Sequence, residues 1–162
     1  MTTITADDFL EVLEHLENMD PETELEPLID RFGDEQPLLA TFLDEMGGED
    51  LNEDEHEVLF FFGVAIWHAI ERFSEEPMGE VTEASLDKVQ QAHEAQLEMV
   101  TEEHGHISVE AITASIRNHP QQAMLQEIFD VIKEEEQEFI RQKNLGDIFT
   151  YLRMATDALL AA

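Results

Sequence analysis

A stretch in the first half of the chain, residues 58–70, is apolar on every side of a helix, with one polar exception, His68. A helix with no polar face belongs in the interior of a fold, because other elements have to cover all of it. Its uninterrupted apolar part, residues 58–67, has ten residues, whereas a membrane span needs about 20. The sequence therefore predicts a buried helix over residues 53–73, with other helices packed around it.

Gly63 lies inside this predicted helix. A glycine at an interior helix position costs about 1 kcal/mol relative to alanine. A glycine in such a place indicates that a side chain would be in the way of a neighbour. We therefore expect a second helix to approach the central helix closely at Gly63.

The rest of the chain also shows apolar residues at helical spacing, and no segment alternates as a half-buried strand does. Three such stripes precede the central helix and four follow it. Thr5 is placed to cap the first helix, and the second is expected to end at Gly33. The seventh should open at Pro120 and continue to Ile140, and Asn144 should cap the eighth. These patterns predict an all-α fold of about seven or eight helices in a single domain, built around the fourth and the eighth.

The two halves of the chain share an order of helices at an offset of 83 residues. In both halves a short helix is followed by a helix that opens with proline and then by one that contains glycine. The proline and the glycine are 26 residues apart in each half, over residues 37–63 and 120–146. This pattern favours an internal repeat of residues 6–73 and 82–160, as two packed halves or a short solenoid. Unrelated amphipathic segments can also match by chance, so a single unrepeated domain stays open.

The chain carries 39 acidic and 8 basic residues, which gives a formal net charge of −31. We expect no nucleic-acid partner, because phosphate binding depends on Lys and Arg side chains. A core is still expected, since Leu, Ile, Val and Phe make up 28 % of the residues. That fraction lies above the roughly 20 % below which highly charged chains stay disordered.

The acidic residues are concentrated in the first two thirds of the chain. Residues 1–108 contain 30 acidic and 3 basic residues, whereas residues 109–162 contain 9 and 5. Three explanations stay open. The protein works in a high-salt cytoplasm, where screening removes self-repulsion; its acidic part faces a basic partner; or the composition drifted in a protein that only has to remain soluble.

The beginning of the chain shows no basic segment followed by an apolar stretch, so we expect no secretory signal and a cytoplasmic location. We also expect no membrane association. The absence of Cys excludes disulfides, thiolate catalysis and cysteine-ligated zinc or iron–sulfur sites. No pattern in the sequence calls for a cofactor.

Two Glu-x-x-His pairs match part of the pattern that carboxylate-bridged di-metal bundles use. They are Glu53 with His56 and Glu103 with His106, and these four residues are the candidate metal ligands. A metal-binding or metal-dependent helical bundle is therefore one alternative function. Against it, glutamate is so common in this chain that about one such pair is expected by chance, and neither pair falls in the middle of a predicted helix.

His68 and His93 are the other candidates for chemistry, because each is a titratable side chain on an apolar helix face. A histidine in such a place is more often a core residue that hydrogen-bonds to a neighbouring helix. No nucleophile motif, phosphate loop or paired metal histidines accompany them in the sequence. We therefore assign no catalytic residue and expect a protein without enzymatic activity.

Large aromatic side chains crowd the central helix. Phe60, Phe61 and Trp67, together with Phe62, are too many rings for one face, which indicates that some of them cover a groove or a contact with another protein. We expect a helical protein-interaction module with a highly acidic surface. Its partner would be another protein, which the charge predicts to be basic, or a second copy in a homodimer. An acidic inhibitor, or a nucleic-acid mimic that binds a basic protein, is a further alternative.

Overall fold

The computed structural model describes residues 3–100, 109–134 and 138–162, and these residues form eight α-helices and no strand. The predicted all-α fold is confirmed. A π-helical turn, Pro21–Leu25, leads into the second helix. None of the helices, within the described ranges, is both long and apolar enough to cross a membrane. In chain order they are α1 (Ala6–Glu17), α2 (Glu26–Glu35), α3 (Pro37–Glu45), α4 (Glu53–Phe73), α5 (Glu83–Val100), α6 (Val109–Ile116), α7 (Gln122–Glu134) and α8 (Gln142–Ala161).

Helices α4 and α8 form the centre of the molecule. They pack against each other, α1 and α3 pack on α4, and α5 and α7 pack on α8. Leu59, Val64 and Ala65 of α4 are buried on different sides of the helix, and Phe149 of α8 is buried as well. The interior position expected for residues 58–70 is thus confirmed except at Phe60, Phe61 and His68, which are only partly buried.

Side-chain caps fix where α1 and α4 begin. Thr5 Oγ1 accepts the backbone N–H of Asp8 at 3.1 Å, and the Asp8 carboxylate accepts the N–H of Thr5 at 3.2 Å. Asn52 and Glu55 form the same reciprocal pair at the start of α4, with both distances 2.9 Å. Such capping boxes satisfy backbone donors that have no partner within the first helical turn. The predicted cap at Thr5 is confirmed.

Helix α3 comes close to α4 at Gly63. A Cβ atom built on Gly63 would overlap Cδ1 of Leu43 and would lie 3.2 Å from its Cδ2. Leu43 is fully buried, so its side chain has little room to move in a close-packed interior. The close approach predicted from the glycine is confirmed, and α3 is the helix that makes it.

The end of α2 differs from the expectation. The helix passes through Gly33 and ends at Glu35, with Gln36 as its C-cap residue. The Gln36 side chain is buried, donates to the carbonyl oxygen of Gly79 at 2.9 Å and accepts the N–H of Val81 at 2.8 Å. These bonds to a distant segment anchor the chain at Gln36. Gly33 is therefore wrong as the helix end, because tertiary contacts set the end of this helix.

Two boundaries in the second half also differ from the expectations. Residues 138–140 form a turn, so the predicted continuation of α7 to Ile140 is wrong. The N-cap residue of α8 is Arg141, so the predicted cap at Asn144 is wrong as well. Asn144 lies inside the first turn of α8, where its side-chain amide donates to the carboxylate of Glu55. The Asn144 side chain therefore hydrogen-bonds to a residue of α4 and does not cap the backbone of α8.

The order of helices is the same in the two halves of the chain. α1 packs against α4 as α5 packs against α8, and α3 contacts α4 as α7 contacts α8. This order alone does not distinguish a duplication from two similar groups of helices. The internal repeat of residues 6–73 and 82–160 therefore stays a prediction.

Candidate functional site

An open depression lies along α4, where this helix faces the start of α2. We call it the acidic groove. Its volume is about 650 Å³, and the described residues that line it include no Lys or Arg. It combines an apolar floor with a rim of carboxylates and one imidazole. The floor residues are Leu25, Ile29, Phe60, Phe61 and Val64, and the rim residues are Asp44, Glu53, Glu57 and His56.

A second, smaller depression continues the acidic groove past Phe61. Its volume is about 230 Å³; it shares Glu57 and Phe61 with the groove and adds Asp54 and Phe139. Phe139 is 45 % exposed and is one of two large apolar side chains exposed in the described part of the chain. The two depressions together form an apolar strip along α4 with carboxylates beside it.

The aromatic residues that the sequence singled out divide between this strip and the core. Phe60 and Phe61 are partly buried and line the acidic groove. Trp67 is only 1 % exposed and packs on Phe32, with ring centroids 5.1 Å apart. The guanidinium of Arg31 lies 4.6 Å from the Trp67 ring centroid. Trp67 is therefore a core residue, because α2 covers its ring, and it does not lie on the interaction surface expected for it.

The first candidate metal pair lies at the rim of the acidic groove. Glu53 is exposed, while Nε2 of His56 donates to the carbonyl oxygen of Gly48 at 2.9 Å. Nδ1 of His56 is buried and has no hydrogen-bond partner among the described residues. Within the described ranges, no three His, Asp or Glu side chains are grouped so that they could hold a metal ion. Glu103 and His106 lie outside the described residues, so the metal hypothesis keeps only its sequence pattern as support.

His68 belongs to an ion-pair network near the end of α4. Its Nδ1 lies 3.2 Å from Oε2 of Glu71, and its ring stacks on that of His15 with centroids 6.4 Å apart. Glu71 also accepts two hydrogen bonds from the guanidinium of Arg31. Burial alone would raise the pKa of Glu71, but the bonds from Arg31 and His68 lower it below its ordinary value. His68 thus bonds to its own helix, and not to a neighbouring helix as expected.

A buried carboxylate that the sequence did not single out joins α4 to α8. Glu55 is 0 % exposed and accepts hydrogen bonds from Arg141 and Asn144 at distances of 2.7–3.1 Å. Burial alone would raise the pKa of Glu55, but these bonds and the one from the Asn52 backbone hold it at about 2. Glu55 therefore stays ionised and connects the first turns of the two central helices.

A second polar cluster, which we call the Asp157 cluster, connects α5, α8 and the turn before α7. Nε2 of His93 donates to Oδ2 of Asp157 at 2.9 Å, and Nε2 of His119 donates to Oδ1 at 2.7 Å. The backbone N–H of Gln121 donates to Nδ1 of His119 at 2.9 Å, which leaves Nε2 as the ring atom that donates to Asp157. Burial alone would raise the pKa of Asp157, but the two histidines and Arg153 lower it to about 2. Asp157 is thus a carboxylate with both oxygens in use.

Separation along the chain explains what the sequence did not reveal. Asp157 is 64 residues from His93 and 38 from His119, and no local pattern connects residues so far apart. Of these three residues, only His93 was indicated by the sequence, through its place on an apolar helix face. As expected for such a histidine, its side chain bonds to a neighbouring helix. Comparisons with protein-family models, with curated proteins and with solved structures find no match to this chain. Its function is therefore inferred from the acidic groove and the Asp157 cluster.

Proposed function

We propose that this protein is a cytoplasmic protein-interaction module whose acidic groove binds a basic amphipathic segment of another protein. The observation that carries the proposal is the composition of the groove: an apolar floor that contains Phe60 and Phe61, bordered by Asp44, Glu53 and Glu57. An apolar strip with charges of one sign beside it is complementary to a segment that carries both apolar and basic side chains.

The floor would supply most of the affinity. Aromatic side chains dominate binding energy at protein interfaces, and an amphipathic helix places apolar side chains three and four residues apart into such a groove. A volume of about 650 Å³ has room for several such side chains. The smaller depression around Phe139 extends the surface that a helix of a few turns would cover.

The rim would supply selectivity. Carboxylates around an interface attract basic partners, raise the rate of encounter and repel acidic ones. A second copy of this chain would place Glu53 and Glu57 against carboxylates like themselves, which disfavours a homodimer through this surface. This proposal and the alternative of an acidic inhibitor or nucleic-acid mimic both predict that a basic protein binds the acidic two thirds of the chain. The two differ because only the proposed module requires the apolar floor of the acidic groove for binding.

Designed peptides test the proposal directly. The first probe is a fluorescent amphipathic helix of Leu and Lys. The second has the same composition but is scrambled, so that no apolar face forms. We expect saturable binding of the first, weaker binding of the second, and weakening of both as salt rises. Fluorescence anisotropy measures the affinities, and Phe61→Ala should weaken the first interaction by about tenfold or more.

Leu38→Ala is the matched control, because Leu38 is 41 % exposed and lies away from the residues that line the groove. It should leave the affinity unchanged, and circular dichroism shows whether each variant is folded. Equal binding of both peptides, with no effect of Phe61→Ala, would contradict binding in the groove. It would mean that the peptides bind the acidic surface by electrostatic attraction alone. Absence of binding to either peptide would overturn the proposal altogether.

A further inference from the structure

A small cavity adjoins the Asp157 cluster, on the side of the molecule formed by α5 and α8. Its volume is about 270 Å³. Binding pockets for small molecules typically have volumes of about 300–1,000 Å³, so this one fits a ligand of a few heavy atoms. Polar and charged side chains share its wall with small apolar ones: the first group is Ser85, Lys88, His93, Arg153 and Asp157, and the second is Val89, Ala92 and Ala161.

Arg153 is a largely buried charged group in this wall whose hydrogen-bond donors are not all used. Its Nη1 donates to the carbonyl oxygen of Ser115, but its Nε is buried and has no hydrogen-bond partner among the described residues. Asp157 lies 3.8 Å from that Nε, too far for a hydrogen bond. Both Asp157 oxygens already accept hydrogen bonds from His93 and His119. These bonds fix the orientation of the carboxylate, which makes no hydrogen bond to Nε of Arg153.

The charge of Arg153 is therefore only partly compensated. Burial lowers the pKa of Arg153, and the attraction of Asp157 offsets this only in part. Lys88 adds a second positive charge to the same wall. Two of the chain's 8 basic residues thus meet at one cavity in a protein of net charge −31, where most of the surface repels anions.

We propose that this cavity binds a small molecule with a carboxylate group and a short apolar body. The carboxylate would pair with the guanidinium of Arg153 and with Lys88, and the apolar body would lie on Val89, Ala92 and Ala161. A phosphate dianion fits less well, because it would bring two negative charges close to Asp157. This site is separate from the acidic groove, so the two proposals stand or fall independently.

Butyrate is the probe, and butyramide is its uncharged counterpart of the same shape. We expect butyrate to shift the ring signals of His93 in NMR spectra in a saturable way, while His56, at the acidic groove, does not respond. Butyramide and inorganic phosphate should bind more weakly. Saturation by phosphate at lower concentrations than butyrate, or equal responses to butyrate and butyramide, would overturn the assignment to a carboxylate.

Three variants locate the binding. Arg153→Gln should weaken butyrate binding by about tenfold or more, because a charged hydrogen bond is lost. Lys88→Met, at an exposed position on the rim, should weaken it by about threefold. Lys143→Met removes the same charge from an exposed place on α8 outside the cavity and should have no effect. Equal losses in Lys88→Met and Lys143→Met, or the absence of saturable binding to the folded wild type, would overturn the proposal.

Discussion

Glu55 shows how one residue makes this fold depend on pH. Its pKa is about 2, below the ordinary value of 4.5. A carboxylate whose pKa is lower in the folded state adds stability that is fully present above the unfolded pKa. That stability is lost as the pH falls from about 4.5 to about 2. The difference corresponds to about 3 kcal/mol of unfolding free energy.

Glu55→Gln should destabilise the protein at neutral pH by about 2–3 kcal/mol, because an amide cannot accept all the bonds that Arg141 and Asn144 donate. The difference in unfolding free energy between wild type and variant should shrink as the pH falls below about 4.5. Urea titrations from pH 7 to pH 2.5 measure it. Comparison with the variant cancels the acid response of the many surface carboxylates.

Glu14→Gln is the control for this experiment, since Glu14 is exposed on α1. It should change the stability by less than about 0.5 kcal/mol at every pH. A difference between wild type and Glu55→Gln that stays constant down to pH 2.5 would contradict the role given to the ionised Glu55.

Glu55 also shows which contacts of a single residue can be predicted from the sequence and which cannot. The place of Glu55 three residues after Asn52 fits a capping box, which is a local pattern. Its bonds to Arg141 and Asn144 span 86 and 89 residues, and nothing local predicts them. Because local patterns do not show that contact, the sequence predicts Asn144 as a cap, whereas in the structure its side chain bonds to Glu55.

The observed bounds of a helix agree with the predicted ones where local interactions determine the ends of the helix. α4 spans Glu53–Phe73 as predicted, because a capping box opens it and apolar residues surround it. α2 continued through Gly33 because its end depends on the buried side chain of Gln36 and a distant segment. The apolar floor of the acidic groove was partly predicted from Phe60 and Phe61. Phe139, in a turn outside helical periodicity, was not.

Packing between helices gives the next prediction. Gly63→Ala should destabilise the protein by about 1–2 kcal/mol, because the new Cβ overlaps the buried Leu43 and the strain exceeds the gain in helix propensity. Thermal or urea unfolding measures the change. In a Leu43→Ala background the same substitution should cost less, since the atoms it meets are gone.

Gly33→Ala is the matched control inside another helix. A Cβ built on Gly33 meets nothing within 4 Å, so this variant should gain up to about 1 kcal/mol from helix propensity. Stabilisation by Gly63→Ala of the same size would show that α3 does not press on α4 at that position.

The charge of the whole molecule works against its own fold at low salt. Exposed acids stand in the last turns of three helices of the first half, where they face the negative end of the helix dipole. They include Glu14 and Glu17 of α1, Asp34 of α2 and Glu45 of α3. Repulsion between such charges reaches about 10 Å at 0.1 M salt but only about 3 Å at 1 M. Adaptation to high salt and a basic partner both remain compatible with this distribution.

The response of the melting temperature to salt tests the adaptation to high salt. If the protein is adapted to high salt, its melting temperature should rise by about 10 °C between dilute and molar KCl, since screening removes the repulsion. Changing Glu14, Glu17, Asp34 and Glu45 to amides should raise the melting temperature by about 5 °C at low salt. It should also reduce the response to KCl.

A second variant with the same change in net charge separates the helix dipole from overall repulsion. It converts four exposed acids in first helical turns, Asp7, Glu26, Glu83 and Glu110, where carboxylates favour the positive end of the dipole. This variant should lose the same part of the KCl response without the stabilisation at low salt. A melting temperature that is flat in KCl would rule out salt adaptation, because a chain of this charge would then fold without screening. Attraction of a basic partner and compositional drift would then remain as explanations of the acidic residues around the groove.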